Sequence, residues 1–135
     1  MNAKTAEVVA LFNTNPDLLD IVRLGLEKAG FIAVIGHVHD IRAGALDLGP
    51  FIEQHHPKVI VYDLVMPYER NWEFMKHVRD NPMMRGRQFV ITTPNQRAAQ
   101  SIVGRDEQVH EVVSDKDVDA IILAVREALK ARPTR

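Results

Sequence analysis

The stretch Val59-Ile60-Val61-Tyr62-Asp63-Leu64-Val65-Met66-Pro67 decides how this chain is read. A short apolar run ends in one carboxylate, and Met66-Pro67 stops the strand three residues later. An uninterrupted apolar run of this length is the pattern of a strand covered on both faces. In an open parallel α/β sheet, ligands and chemistry gather just beyond the carboxyl ends of the strands. An acid in the last position of such a strand is therefore placed either to react or to bind a cation. The alternative is a turn cap, a common use of Asp between a strand and a helix.

Working outward, the same pattern recurs. Glu7 to Phe12 is a second apolar run, ended by Asn13-Thr14-Asn15-Pro16, where Asn15 reads as an N-cap and Pro16 as the first helical residue. Leu18, Leu19, Val22, Leu26 and Ala29 follow at helical spacing, and Gly30 supplies the stop. Phe31 to Ile35 is another strand. Asp40 to His56 reads as helical overall, with Leu46, Phe51 and Ile52 turned inward. Gly49-Pro50 interrupts this segment, so a helix beginning only at Pro50 is the other reading. Beyond Pro67 the pattern predicts a helix over about 71–79, carrying Trp72, Phe74, Met75 and Val78 as packing residues, and Asn81-Pro82 breaks it. Gln88 to Thr93 is a fourth strand ended by Pro94. A weakly amphipathic helix through Ala98, Ala99, Ile102 and Val103 runs to Gly104. Val109 to Val113 is a fifth strand interrupted by His110 and Glu111, and Val118, Ile121, Ile122, Val125 and Leu129 mark the last helix. Five strands alternating with five helices imply a parallel sheet with helices on both faces.

Composition narrows the function classes. The 135 residues are enough for one domain with one core, 46% are hydrophobic and 26% charged, and the formal net charge is −1. That balance gives no electrostatic footprint for nucleic acid or an anionic membrane. Cysteine is absent, which excludes disulfides, thiolate metal sites and cysteine nucleophiles. The first residues lack the apolar core of a signal peptide, and no run approaches the ~18 apolar residues of a membrane span. A cytoplasmic protein of one domain over 1–135, with no output domain after the last helix, is expected. His37, His39, His55, His56, His77 and His110 include no i,i+4 pair flanking a carboxylate, as a zinc-protease helix would have. No G-x-G-x-x-G, P-loop or G-x-S-x-G occurs either.

In a sheet of this kind the ends of the first, third, fourth and fifth strands converge. They carry Asn13-Thr14-Asn15, Asp63, Thr92-Thr93 and Ser114-Asp115-Lys116. With these residues in that order, the chain resembles the receiver domain of two-component response regulators over nearly its whole length. Val59 to Pro67 matches the family's apolar strand, phospho-accepting Asp and Met-Pro. Leu11 to Pro16, Trp72 to Met75, Val78 to Pro82 and Phe89 to Thr93 follow its rhythm. The resemblance implies a CheY-like, flavodoxin-like fold, a doubly wound five-stranded parallel sheet of order 2-1-3-4-5. It implies Asp63 as phosphoacceptor, Thr93 as the hydroxyl that senses the phosphoryl group, and Mg²⁺ held by Asp63 and the Val65 carbonyl. Implied partners are a sensor histidine kinase or phosphotransfer protein, and a downstream protein docking on the face of the fourth helix, fifth strand and fifth helix, with a homodimer as a further option. No enzymatic activity is implied beyond phosphorylation and dephosphorylation at Asp63.

The departures fall on the chemistry. Where receivers carry a pair of acids to hold Mg²⁺, this chain has Asn13 and Thr14, weak ligands at best, and Mg²⁺ ordinarily wants one or two carboxylates. Asp17 lies nearby in the first helical turn, where the helix dipole alone accounts for an acid. The Lys-Pro pair that ends the fifth strand is missing. Ser114 takes the Lys position, Asp115 the Pro position, and Lys116 is an offset candidate whose simpler reading is a solvated side chain beside a cap formed by Asp115 or Asp117. Two other functions therefore stand beside the phosphorylated receiver. One is a phosphorylation-independent pseudo-receiver that serves as a protein-interaction module. The other is a flavodoxin-like binder of a small anionic ligand at the Asn13-Thr14-Asn15 turn.

Overall fold

The computed structural model describes residues 6–131; residues 1–5, on which the expectation of no leader rests, and residues 132–135 lie outside it. Its five strands are β1 (Val8–Asn13), β2 (Ile32–His37), β3 (Val59–Asp63), β4 (Gln88–Thr93) and β5 (Val109–Ser114). They form one sheet in the order β2-β1-β3-β4-β5, and every pairing is parallel. This is the flavodoxin-like, CheY-like topology expected from the sequence.

Six helices connect the strands: α1 (Pro16–Lys28), α2 (Val38–Ala43), α3 (Leu48–His55), α4 (Tyr68–Asp80), α5 (Gln96–Val103) and α6 (Val118–Lys130). The segment 40–56 is neither one helix nor a helix beginning at Pro50. Gly44 adopts a left-handed conformation (φ 78°) and closes α2, and the Asp47 side chain then accepts the Gly49 N–H to open α3. Pro50 thus falls in a first helical turn, where a missing N–H costs nothing.

The alternating faces of the central strands divide the core in two. On one side Phe12, Tyr62, Phe89 and Ile91 pack with Ile52 of α3 and Trp72, Met75 and Val78 of α4. On the other, Val9, Leu11, Val61 and Val90 meet Leu19, Val22 and Leu26 of α1 and Ile121, Ala124 and Val125 of α6. All five residues of β3 and all six of β4 are buried, so the apolar runs mark strands covered on both faces. Burying a side chain of the size of Phe12 or Ile60 contributes about 1.5–3 kcal/mol, an upper figure because unfolded chains already shield some surface. At β5 the register slips beside Phe89, which pairs with Val109, while Val90 pairs with Glu111. His110 is the residue skipped, and this local irregularity is why the apolar pattern of that strand breaks.

Candidate functional site

The crossover rule places the C-terminal ends of β1, β3, β4 and β5 along one edge, and Asp63 sits at its centre. Asp63 is only 4% exposed. Its two carboxylate oxygens are both engaged: the Thr14 hydroxyl donates to Oδ2, and the Thr92 hydroxyl donates to Oδ1 at 3.1 Å. Thr92 reaches it because the two residues are direct register partners across β3 and β4. Thr93, one residue on, points to the other face. Its hydroxyl is fully buried and accepts the Asn95 N–H at 3.4 Å. The hydroxyl that meets the acid in this structure is therefore Thr92, where the sequence reading placed Thr93. Strand alternation was the signal that could have separated them, since a register partner of Asp63 must share its face.

The burial of Asp63 raises its pKa above the ordinary 3.8; the two threonine hydrogen bonds oppose that rise, and the charge of Asp115 adds to it. Asp115 follows β5, is 8% exposed, and has one carboxylate oxygen with no hydrogen-bond partner. It is no helix cap. Asp117 takes that role by accepting the Ala120 N–H at 3.0 Å, whereas the Asp115 backbone N–H donates to the Thr93 carbonyl. Lys116 is exposed, and only its backbone N–H is tied down, to the Ser114 hydroxyl. The fifth strand thus delivers a second acid to the vicinity of Asp63.

The oxygen atoms that could hold Mg²⁺ are committed within the protein. The Asn13 side-chain oxygen accepts the Asn15 N–H at 2.6 Å, an Asx turn, and the Thr14 hydroxyl is spent on Asp63. The Val65 carbonyl accepts from the Asn71 side chain at 2.7 Å. Of these four residues Asp63 alone is a carboxylate, so as arranged they do not fit a Mg²⁺ ion. Asp17 is exposed in the first turn of α1. The Asn13-Thr14-Asn15 turn is also short of free donors for an anion, because the Asn15 and Asp17 N–H groups are taken by Asn13 and Asn15.

Between Asp63 and the β2–α2 connection lies a cavity of about 440 Å³, lined by Pro16, Val38, Arg42, Tyr62, Asp63 and Asn71 among others. Its Tyr62, Arg42 and Asn71 were not singled out from the sequence, and nothing in their spacing would have done so. At the opposite end of the sheet, His110, Glu111 and Glu127 bring one ligand atom each to within 4.8 Å of one another. Among the described residues, no helix is long and apolar enough to cross a membrane.

Solved structures share this architecture. A sensor protein from Polaromonas sp. JS666 superposes with a TM-score of 0.71 at 19% identity, covering 92% of this chain and 96% of that one. A CheY-like response regulator receiver domain from Methylobacillus flagellatus gives 0.67 at 14% identity, over 92% and 99%. An orphan response regulator of H. pylori gives 0.60 at 13%, over 91% and 96%. No protein-family model matches the sequence, and no curated protein matches it. The chain has the receiver fold, and at these identities the likeness is one of fold.

Proposed function

We propose that this chain is a receiver-like signalling domain that works as a phosphorylation-independent interaction module, a pseudo-receiver. One observation carries the reading: Asp63 is buried with both oxygens hydrogen-bonded to threonines, and the charge acting on it from β5 is the carboxylate of Asp115. Phosphoryl transfer runs on cations that neutralise the transferring oxygens. A pocket with an acid from the fifth strand and no second acid on β1 repels the incoming phosphoryl group and has little to hold Mg²⁺. Burial also favours the neutral carboxylic acid, a poorer nucleophile than the carboxylate.

On this reading signals pass by association. The upstream partner is a histidine kinase or phosphotransfer protein held by docking, and the downstream target meets the α5–β5–α6 face, with self-association as a further use of that face. The phosphorylated receiver is the competing reading, supported by the retention of Asp63 at the strand end.

Intact-protein mass after incubation with acetyl phosphate, with and without Mg²⁺, separates them. The pseudo-receiver gives no adduct in either condition. A base-labile phosphoryl adduct that disappears in Asp63→Asn would establish the phosphorylated receiver instead.

A further inference from the structure

The cavity beside Asp63 has features that the signalling reading leaves unused. Its walls combine apolar surface from Pro16, Val38 and the Tyr62 ring with two hydrogen-bond donors. Arg42 is one donor. It is exposed, it is held by a 2.7 Å hydrogen bond to the Asn71 side-chain oxygen, and its guanidinium lies 4.6 Å over the Phe74 ring. Asn71 is itself fixed by the Val65 carbonyl, so the arginine is oriented before any ligand arrives. No carboxylate ion-pairs with Arg42 among the described residues.

Tyr62 is the other donor. It is 1% exposed, and its hydroxyl has no hydrogen-bond partner. A buried hydroxyl left without a partner costs about 1–3 kcal/mol, and native proteins keep few of them. Arg42 lies close enough for its charge to oppose the rise that burial imposes on the phenol's pKa. A planar, charged fork and a dry phenol therefore face the same space. A cavity of about 440 Å³ falls within the ~300–1,000 Å³ typical of small-molecule sites.

We propose that this cavity binds a small organic carboxylate, its carboxylate on Arg42 with the Tyr62 hydroxyl as second donor, and its apolar body against Pro16 and Val38. A carboxylate suits the site better than a phosphate. It matches the guanidinium fork and brings one negative charge, whereas a phosphate would bring nearly two towards Asp40 and Asp63, which line the same cavity. The ligand shifts the wall enough to uncover the Tyr62 hydroxyl. Because Asp63, Thr14 and Val65 share that wall, occupancy reaches the pocket a phosphoryl group would otherwise control. The proposal does not rest on whether Asp63 can be phosphorylated.

The test is a ¹H–¹⁵N correlation titration of the full chain with benzoate, benzamide, phenethylammonium and inorganic phosphate. Benzoate is expected to give saturable shifts centred on Val38 to Arg42 and Tyr62 to Val65 at millimolar concentrations, with benzamide and phenethylammonium giving none there. Arg42→Met should weaken benzoate about tenfold or more, the scale of one charge-assisted pair. Tyr62→Phe should weaken it several-fold while the remaining amides keep their positions. Equal binding of benzamide, phosphate binding in place of benzoate, shifts mapping elsewhere, wild-type affinity in a folded Arg42→Met, or no saturable shift would each overturn the proposal.

Discussion

At Asp63 two effects oppose each other. Burial penalises the carboxylate, while the Thr14 and Thr92 hydroxyls favour it; burial prevails, helped by Asp115, and the pKa stands above its ordinary value. For an acid whose folded-state pKa exceeds the unfolded one, the native state binds more protons between the two values, so stability falls as pH rises through that window. Asp63→Asn removes this titration, and the threonine hydroxyls, each both donor and acceptor, can rotate to serve the amide. The variant should therefore gain on the wild type as pH rises from about 4, the gain levelling off above the native pKa. Urea midpoints from about pH 4 to about pH 8 measure this, and a wild type that gains on the variant over that range would refute it. The sequence brought Asp63 forward because a carboxylate closing an apolar run is conspicuous. It could not show what surrounds the acid. Thr92 and Thr93 look alike in a string of letters, and only register tells which shares the face of Asp63. Asp115 looked like a cap because Asp before a helix usually is one; its burial depends on where β5 delivers it.

Helices were legible in their apolar spacing and less so at their ends. α1 and α6 read correctly because each carries a full apolar stripe and a cap, Asn15 accepting the Asp17 N–H and Asp117 the Ala120 N–H. The split of 40–56 was missed because Gly44, which ends α2, stands in a helix-compatible setting, whereas Gly49-Pro50 advertised a break that the chain absorbs in a helical first turn. Gly25 is a second helical glycine whose reason is tertiary. A methyl group there would lie 2.7 Å from Val118 Cγ1 and 3.2 Å from Ile122 Cδ1, where α6 crosses α1. In an exposed helix Gly→Ala is favourable by about 1 kcal/mol. Here the overpacking term, about 1–3 kcal/mol, prevails because a β-branched valine has little freedom to turn away. Gly25→Ala should lower chemical stability by about 1 kcal/mol, and adding Val118→Ala should recover part of it by relieving the clash. A stabilised single variant in urea denaturation would show that the two helices are free to separate.

For the molecule as a whole, the receiver scaffold is present and its electrostatics are altered. Strand order, the placement of an acid at the end of β3 and a hydroxyl at the end of β4 were all legible, because each follows from the alternation of apolar runs and helices. What the pocket lacks, by comparison with the receivers the sequence resembles, is two acids on β1 and a lysine on β5. If charge alone is missing, restoring it should restore the chemistry. Asn13→Asp, Thr14→Asp and Ser114→Lys together free Asp63 from the Thr14 hydroxyl and set two acids beside it, with one cation opposite. Without metal this variant should be less stable than the wild type, since three carboxylates then share one end of the sheet. Millimolar Mg²⁺ should recover that stability by binding only the folded form, by about 2.7 kcal/mol at a hundredfold excess over the dissociation constant, while leaving the wild-type melting temperature unmoved. Acetyl phosphate should then yield an adduct in the variant alone. A folded variant that neither binds Mg²⁺ nor takes phosphate would mean that the loss lies in the shape of the loops around Asp63, and that the scaffold has moved further from phosphorylation than its charges indicate.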